Sequence, residues 1–106
     1  MTELTPTHAP TVIAERALLC SPAGEAQRAV VLRLHAPVRD ADGWLCEAEL
    51  MNLFEDRARA RGVDSLQALQ LALGAVHQAL EGMIRAGGSV CWADGSPFMS
   101  LDDLRR

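Results

Sequence analysis

Ser65 follows Gly62-Val63-Asp64 and opens the apolar run Leu66-Gln67-Ala68-Leu69-Gln70-Leu71-Ala72-Leu73. A serine hydroxyl in the first turn of a helix faces solvent, where an enzyme can esterify it with a phosphate-linked arm. The competing role of the same residues is mechanical. Asp64 or Ser65 accepts a hydrogen bond from an orphan N–H at the helix start, and the aspartate charge suits the positive end of the helix dipole. Asp40, Asp42, Gly43 and Glu49 reproduce part of a calcium loop. Its first ligand position falls on Val38, which has no side-chain oxygen, and the flanking segments read as strands rather than helices, so a hairpin turn is the better reading.

The other reactive groups are scattered. His8, His35 and His77 are far apart, and Cys20, Cys46 and Cys91 are odd in number with long spacings. No pair has metal-ligand spacing, and no basic neighbour in sequence lowers a thiol pKa. Cys46 reads as core, and His77 as a packed helical histidine. Arg57, Arg59 and Arg61 alternate with alanines in residues 54–62, but Glu55 and Asp56 beside them point to a solvated connection rather than a phosphate site. No Gly-rich phosphate loop, nucleophile elbow or paired-His motif is present. Accordingly no catalytic residue, metal ligand or cofactor is assigned.

These residues need elements to hold them. Residues 1–10 read as a loose arm, and 11–106 as one domain. Thr11–Cys20 has strand composition. In Gln27–Ala36, Val30, Leu32 and Leu34 point one way and Val31, Arg33 and His35 the other, toward water. Residues 37–43 make a turn ending in Asp42-Gly43. In Trp44–Leu53, Trp44, Cys46, Ala48 and Leu50 share one face, while Leu45, Glu47, Glu49 and Met51 share the other. The second and third strands should therefore pair as an antiparallel hairpin with Arg33 near Glu47 or Glu49. A long helix runs from about Asp64 to Ala86, with Leu66, Leu69, Leu73, Val76, Leu80 and Met83 as its apolar stripe. Ala68, Leu71, Ala72, Ala75 and Ala79 form a back face whose small residues let another element approach closely. Gly87-Gly88 ends the helix. Residues 89–93 form a short strand, and Ser100 can cap a short terminal helix. The expectation is a two-layer α+β fold, in the order β-β-β-α-β, with an antiparallel sheet of three to four strands packed on one long helix.

Composition narrows the function. A chain of 106 residues, 49% hydrophobic, supports one modest core. Its net charge of -4 argues against a general nucleic-acid binder, which needs a basic surface. The first residues lack the basic segment and apolar run of a signal peptide, and no apolar stretch reaches the roughly 20 residues of a membrane span. A reduced, cytoplasmic domain is the expectation.

Two resemblances bear on Gly62–Leu73. Gly62, Asp64, Ser65 and Leu66 resemble the signature of acyl and peptidyl carrier proteins. Carrier domains are helical bundles, however, and their modified serine heads an acidic helix. Here the upstream chain alternates like a hairpin, and the helix has no acid until Glu81. The longer phrase Asp64–Leu73 resembles a small bacterial domain-of-unknown-function family. That family has a Trp-x-Cys hairpin strand, here in residues 41–46, a helix of the form G-x-D-S-x-Q-A-L-x-L-A-L, and a late strand with Trp, here Val90-Cys91-Trp92. The resemblance spans about residues 11–95, implies an α+β fold, and carries over no catalytic residues.

The leading functional expectation is a non-enzymatic domain that binds a protein partner or itself, with neither nucleic acid nor membrane. An immunity-type protein that neutralises a partner is one version. Trp92, Arg33, Glu47 and Glu49 are the candidate contact residues. A small-ligand binder or unrecognised enzyme using His77 with Gln70 is the alternative. A carrier modified at Ser65 ranks last.

Overall fold

The computed structural model describes residues 11–97. In chain order the elements are β1 (Val12–Ser21), β2 (Arg28–His35), β3 (Val38–Asp40), β4 (Gly43–Met51), β5 (Ala58–Gly62), α1 (Ser65–Arg85) and β6 (Ser89–Trp92). The strands form one antiparallel sheet in which β2 lies between β1 and β4, and β6 extends the sheet beyond β1. Trp44 pairs with both Arg39 and Gly62, and Ala48 with both Leu34 and Ala58. It follows that β5 holds one edge of β4, while β2 and β3 lie end to end along the other. The register slips by one residue between them, where Ala36-Pro37 interrupts the ladder and proline has no N–H to donate. The expected hairpin thus closes through β3, at Ala41-Asp42, with Gly43 at φ 119°.

The α+β class is as expected, but the sheet has six strands rather than three or four. Five strands, not three, precede the helix. The largest correction is at residues 54–62, expected as a solvated connection. Within them Ala58–Gly62 is a strand on β4. Its Arg-Ala alternation is a period-two pattern, with Ala58 and Ala60 packed on the core and Arg59 and Arg61 on the other face. The terminal helix expected from Ser100 and the arm at 1–10 lie outside the described residues.

Leu18, Cys20, Val30, Leu32, Leu34, Cys46, Ala48, Leu50 and Val90 form the buried face of the sheet. From the helix, Ala68, Ala72, Val76, Leu80 and Met83 meet it. This corrects the expected stripe. Leu66 is 62% exposed, and Leu69 and Leu73 pack only on the flank. The start of α1 sits so close to β5 that a Cβ on Gly62 would lie 2.4 Å from the Ala68 nitrogen. Only alanine fits in the first inward rows, so the leucines rotate aside.

The helix ends are locally encoded. The Asp64 carboxylate accepts from the Gln67 N–H at 2.8 Å, and the Gln67 side-chain oxygen accepts from the Val63 N–H at 2.7 Å. Asp64 is therefore the cap, and Ser65 the first helical residue. With a β-sheet upstream, the surroundings of Ser65 are not those of a helical-bundle carrier. Asp64→Ala should lower stability by about 1 kcal/mol in urea titration, and Ser65→Ala by less than about 0.5 kcal/mol. At the other end the Gly87 N–H reaches the Ile84 carbonyl at 2.9 Å and the Gly88 N–H the Met83 carbonyl at 3.0 Å. Gly87 takes φ 105°. This paired closure satisfies two of the last free carbonyls.

Candidate functional site: a groove beside the helix

The face of the sheet away from α1 carries a ladder of ion pairs, and it holds three of the four expected contact residues. Arg33 lies in register between Glu15 on β1 and Glu49 on β4, and its Nε donates to Glu15 at 2.6 Å. Glu49 instead meets His35 Nε2 at 2.7 Å, with Arg57 Nε at 3.7 Å. Glu47 is 8% exposed and accepts from Arg57 Nη1 at 3.0 Å and Arg59 Nε at 2.6 Å. Arg61 binds both oxygens of Asp40, at 2.8 and 2.9 Å, which lowers the Asp40 pKa and ties this turn to β5 rather than to a cation. His35, expected toward water, is buried, because Val12 pairs with it on β1 and Glu49 engages its ring. The ladder balances four carboxylates against four guanidiniums.

Glu47 makes folding pH-dependent. Burial opposes its charge, but the hydrogen bonds from Arg57 and Arg59 outweigh that and hold its carboxyl below the ordinary 4.5. A depressed folded-state pKa contributes stability that is complete above the unfolded value and disappears as pH falls through the folded one. Urea midpoints measured downward from pH 6 should therefore fall on acidification below about 4.5. Glu47→Gln should be less stable at pH 6 and show a shallower acid decline.

Trp92 lies elsewhere. It pairs with Leu18, so it belongs to the helix side of the sheet, where the Arg16 guanidinium stands 5.1 Å from its ring centroid. It does not join Arg33, Glu47 and Glu49 in one surface. Burial raises the thiol pKa of Cys20, to about 11, and that of Cys46. The Cys46 thiol also donates to the His35 carbonyl at 3.4 Å. Both read as packed, unreactive side chains. Among the described residues no group of three His, Cys, Asp or Glu is placed to hold a metal ion.

A concavity beside the helix was not foreseen. Asn52 adopts φ 73°, and its side-chain amide donates to the Ala29 carbonyl at 2.9 Å. The Leu53 and Phe54 N–H groups both return to the Leu50 carbonyl. This turn carries Leu53 and Phe54 alongside the second half of α1. Between them lies a groove of about 860 Å³, with Ala75, Ala79, Gly82 and Ala86 as its helical wall and Leu50 and Met83 at its base. Glu25, Glu55 and Asp56 also line it. Glu25 pairs with Arg28, whereas Glu55 and Asp56 make no ion pair among the described residues. The back face of the helix therefore divides. Ala68 and Ala72 are buried on the sheet, Ala68 against Gly62 of β5, whereas Ala75 and Ala79 line the groove. Neither His77 nor Gln70 lines it, so the combination expected of a His77-centred site does not coincide with this cavity.

No curated protein and no solved structure matches the chain. A family model does, over residues 14–99, a span that holds nearly all of β1 and every later element described above. The resemblance expected from the Trp-x-Cys strand and the Asp64–Leu73 helix is thus met by a match of nearly the same extent, and the chain belongs to DUF6968, a family defined as a domain of unknown function.

Proposed function

We propose that this is a non-enzymatic protein-binding domain of a reducing, cytoplasmic compartment, which docks its partner in the groove beside α1. The observation that carries the reading is an open apolar groove bordered by Glu55 and Asp56, which make no ion pair among the described residues. Three free cysteines and a net charge of -4 support the compartment and the absence of nucleic acid from the partner set. Neutralisation of a partner in the manner of an immunity protein is one form of this role. Arg33, Glu47 and Glu49 match their charges within the ladder, on the face of the sheet away from the groove, and Trp92 with Arg16 offers a separate cation–π surface.

Affinity purification from a native lysate tests the reading. A partner retained by the wild type and by Arg33→Ala, and lost with Ala79→Trp, is the expected result. Equal retention by Ala79→Trp would remove the groove from the role, as would a monomer in light scattering with nothing retained. A small-ligand role has one favouring observation, a volume within the range of ligand cavities, ~300–1,000 Å³. Thermal stabilisation by a metabolite that Ala79→Trp abolishes would select it. Stabilisation abolished by His77→Ala would place a ligand on the other flank of the helix.

A further inference from the structure

We infer that the groove receives an amphipathic helix with an apolar stripe flanked by arginine or lysine, an inference that rests on the protein-binding reading above. Shape supplies the first reason. Ala75, Ala79, Gly82 and Ala86 form one row on α1, and Leu71, 49% exposed, continues it by one turn. From Ala75 to Ala86 the row is about 16 Å long, three turns of a partner helix. Side chains this small let a second helix axis approach to the short end of the 8–10 Å packing range. The helical wall of the groove has its backbone groups bonded internally, so an added strand finds no ladder on that side, and helix-in-groove docking is the mode that suits it.

Chemistry supplies the second. Leu53, Phe54 and Met83 line the groove with apolar side chains that a partner's large side chains can meet, and Phe54 is 41% exposed. At the edge the balance is negative. Among the described residues Arg57 is the one basic residue lining the groove and is directed to Glu47 and Glu49, which leaves Glu55 and Asp56 without an ion pair there. A basic helix neutralises them, and an acidic one is repelled. The apolar wall offers no convergent set of polar groups to orient a small molecule, which favours a macromolecular occupant.

Two 18-residue synthetic helices test the inference, one of Leu and Lys and one of Leu and Glu with the same apolar pattern. Each is titrated into the isotope-labelled full chain and followed by amide chemical shifts. The Leu/Lys peptide should saturate, with shifts confined to residues 53–58 and 75–86. Its Kd should rise at least tenfold in Ala79→Trp and at least threefold in the double variant Glu55→Arg, Asp56→Arg. The double variant alters exposed side chains only, so it stays informative if Ala79→Trp disturbs the fold. Shifts centred on the ion-pair ladder, equal binding of both peptides, or an unchanged Kd in the double variant would overturn the inference. If a natural partner is lost with Ala79→Trp while the Leu/Lys peptide shows no binding, the occupant is wrong and the protein-binding reading stands. If neither binds through the groove, both fail.

Discussion

Gly62→Ala is expected to destabilise the domain by about 3 kcal/mol, the upper part of the range for overpacking a core. The added Cβ would lie 2.4 Å from the Ala68 nitrogen, 3.0 Å from the Ala68 Cα and 3.0 Å from the Asp64 carbonyl oxygen. All three are backbone atoms, so no rotamer change can relieve the clash. Either the first turn of α1 lifts from β5 or β5 shifts on β4. Both routes disturb Ala60 and Ala68, which seat the helix on the sheet. Gly74 and Gly82 are the controls, because a Cβ at either meets nothing within 4 Å. Gly74→Ala lies inside the helix and should stabilise it by about 0.5–1 kcal/mol. Equilibrium urea unfolding of the two variants gives opposite signs if the seating is as described. A Gly62→Ala variant as stable as the wild type would mean that α1 does not rest on β5 so closely. The first residue of Gly62-Val63-Asp64-Ser65-Leu66 is then a packing contact, as Asp64 is a cap, and neither need reflect chemistry at Ser65.

That result also marks where the sequence stops being legible. β2 and β4 are readable because alternate residues face the core, so Val30, Leu32 and Leu34 interleave with Arg33 and His35, and Cys46, Ala48 and Leu50 with Glu47 and Glu49. The ends of α1 are readable because Asp64, Gln67 and Gly87 act within a few residues of themselves. β5 is not readable by hydrophobicity, since its inward residues are Ala58 and Ala60 and its outward ones arginines. Its alternation is one of size and charge. Period two placed Arg33 with Glu47 and Glu49 on one face, yet their bonding partners Glu15, Arg57 and Arg59 depend on strand order and on β5 being a strand. The groove lay further out of reach. It needs Asn52 in a left-handed conformation to bring Leu53 and Phe54 beside residues more than 20 positions later. Only the row of small residues on the helix pointed to it.

The rotation of α1 supplies the second large effect. Leu66 and Leu80 occupy equivalent places in the three-four stripe that hydrophobicity alone selects, so a sequence-based estimate gives their truncations similar costs. Packing separates them. Leu80 is 0% exposed and sits in the core cluster opposite the sheet, where truncation removes the transfer energy of the lost methyl groups and leaves a cavity that close neighbours only partly fill. Leu80→Ala should cost about 3 kcal/mol, on the order of 15 °C in Tm for a domain of this size. Leu66 is 62% exposed in the first turn and has little apolar contact to lose. Leu66→Ala should change stability by less than about 0.5 kcal/mol, because alanine also has the better helix propensity. The difference between the two, read from thermal and urea unfolding of single variants, measures the rotation directly. Comparable losses at both positions would restore the leucine stripe as the buried face and turn Ala75 and Ala79 away from the groove. A difference above about 2 kcal/mol keeps the alanine row inward at β5. Farther along the helix it leaves Ala75 and Ala79 facing the groove.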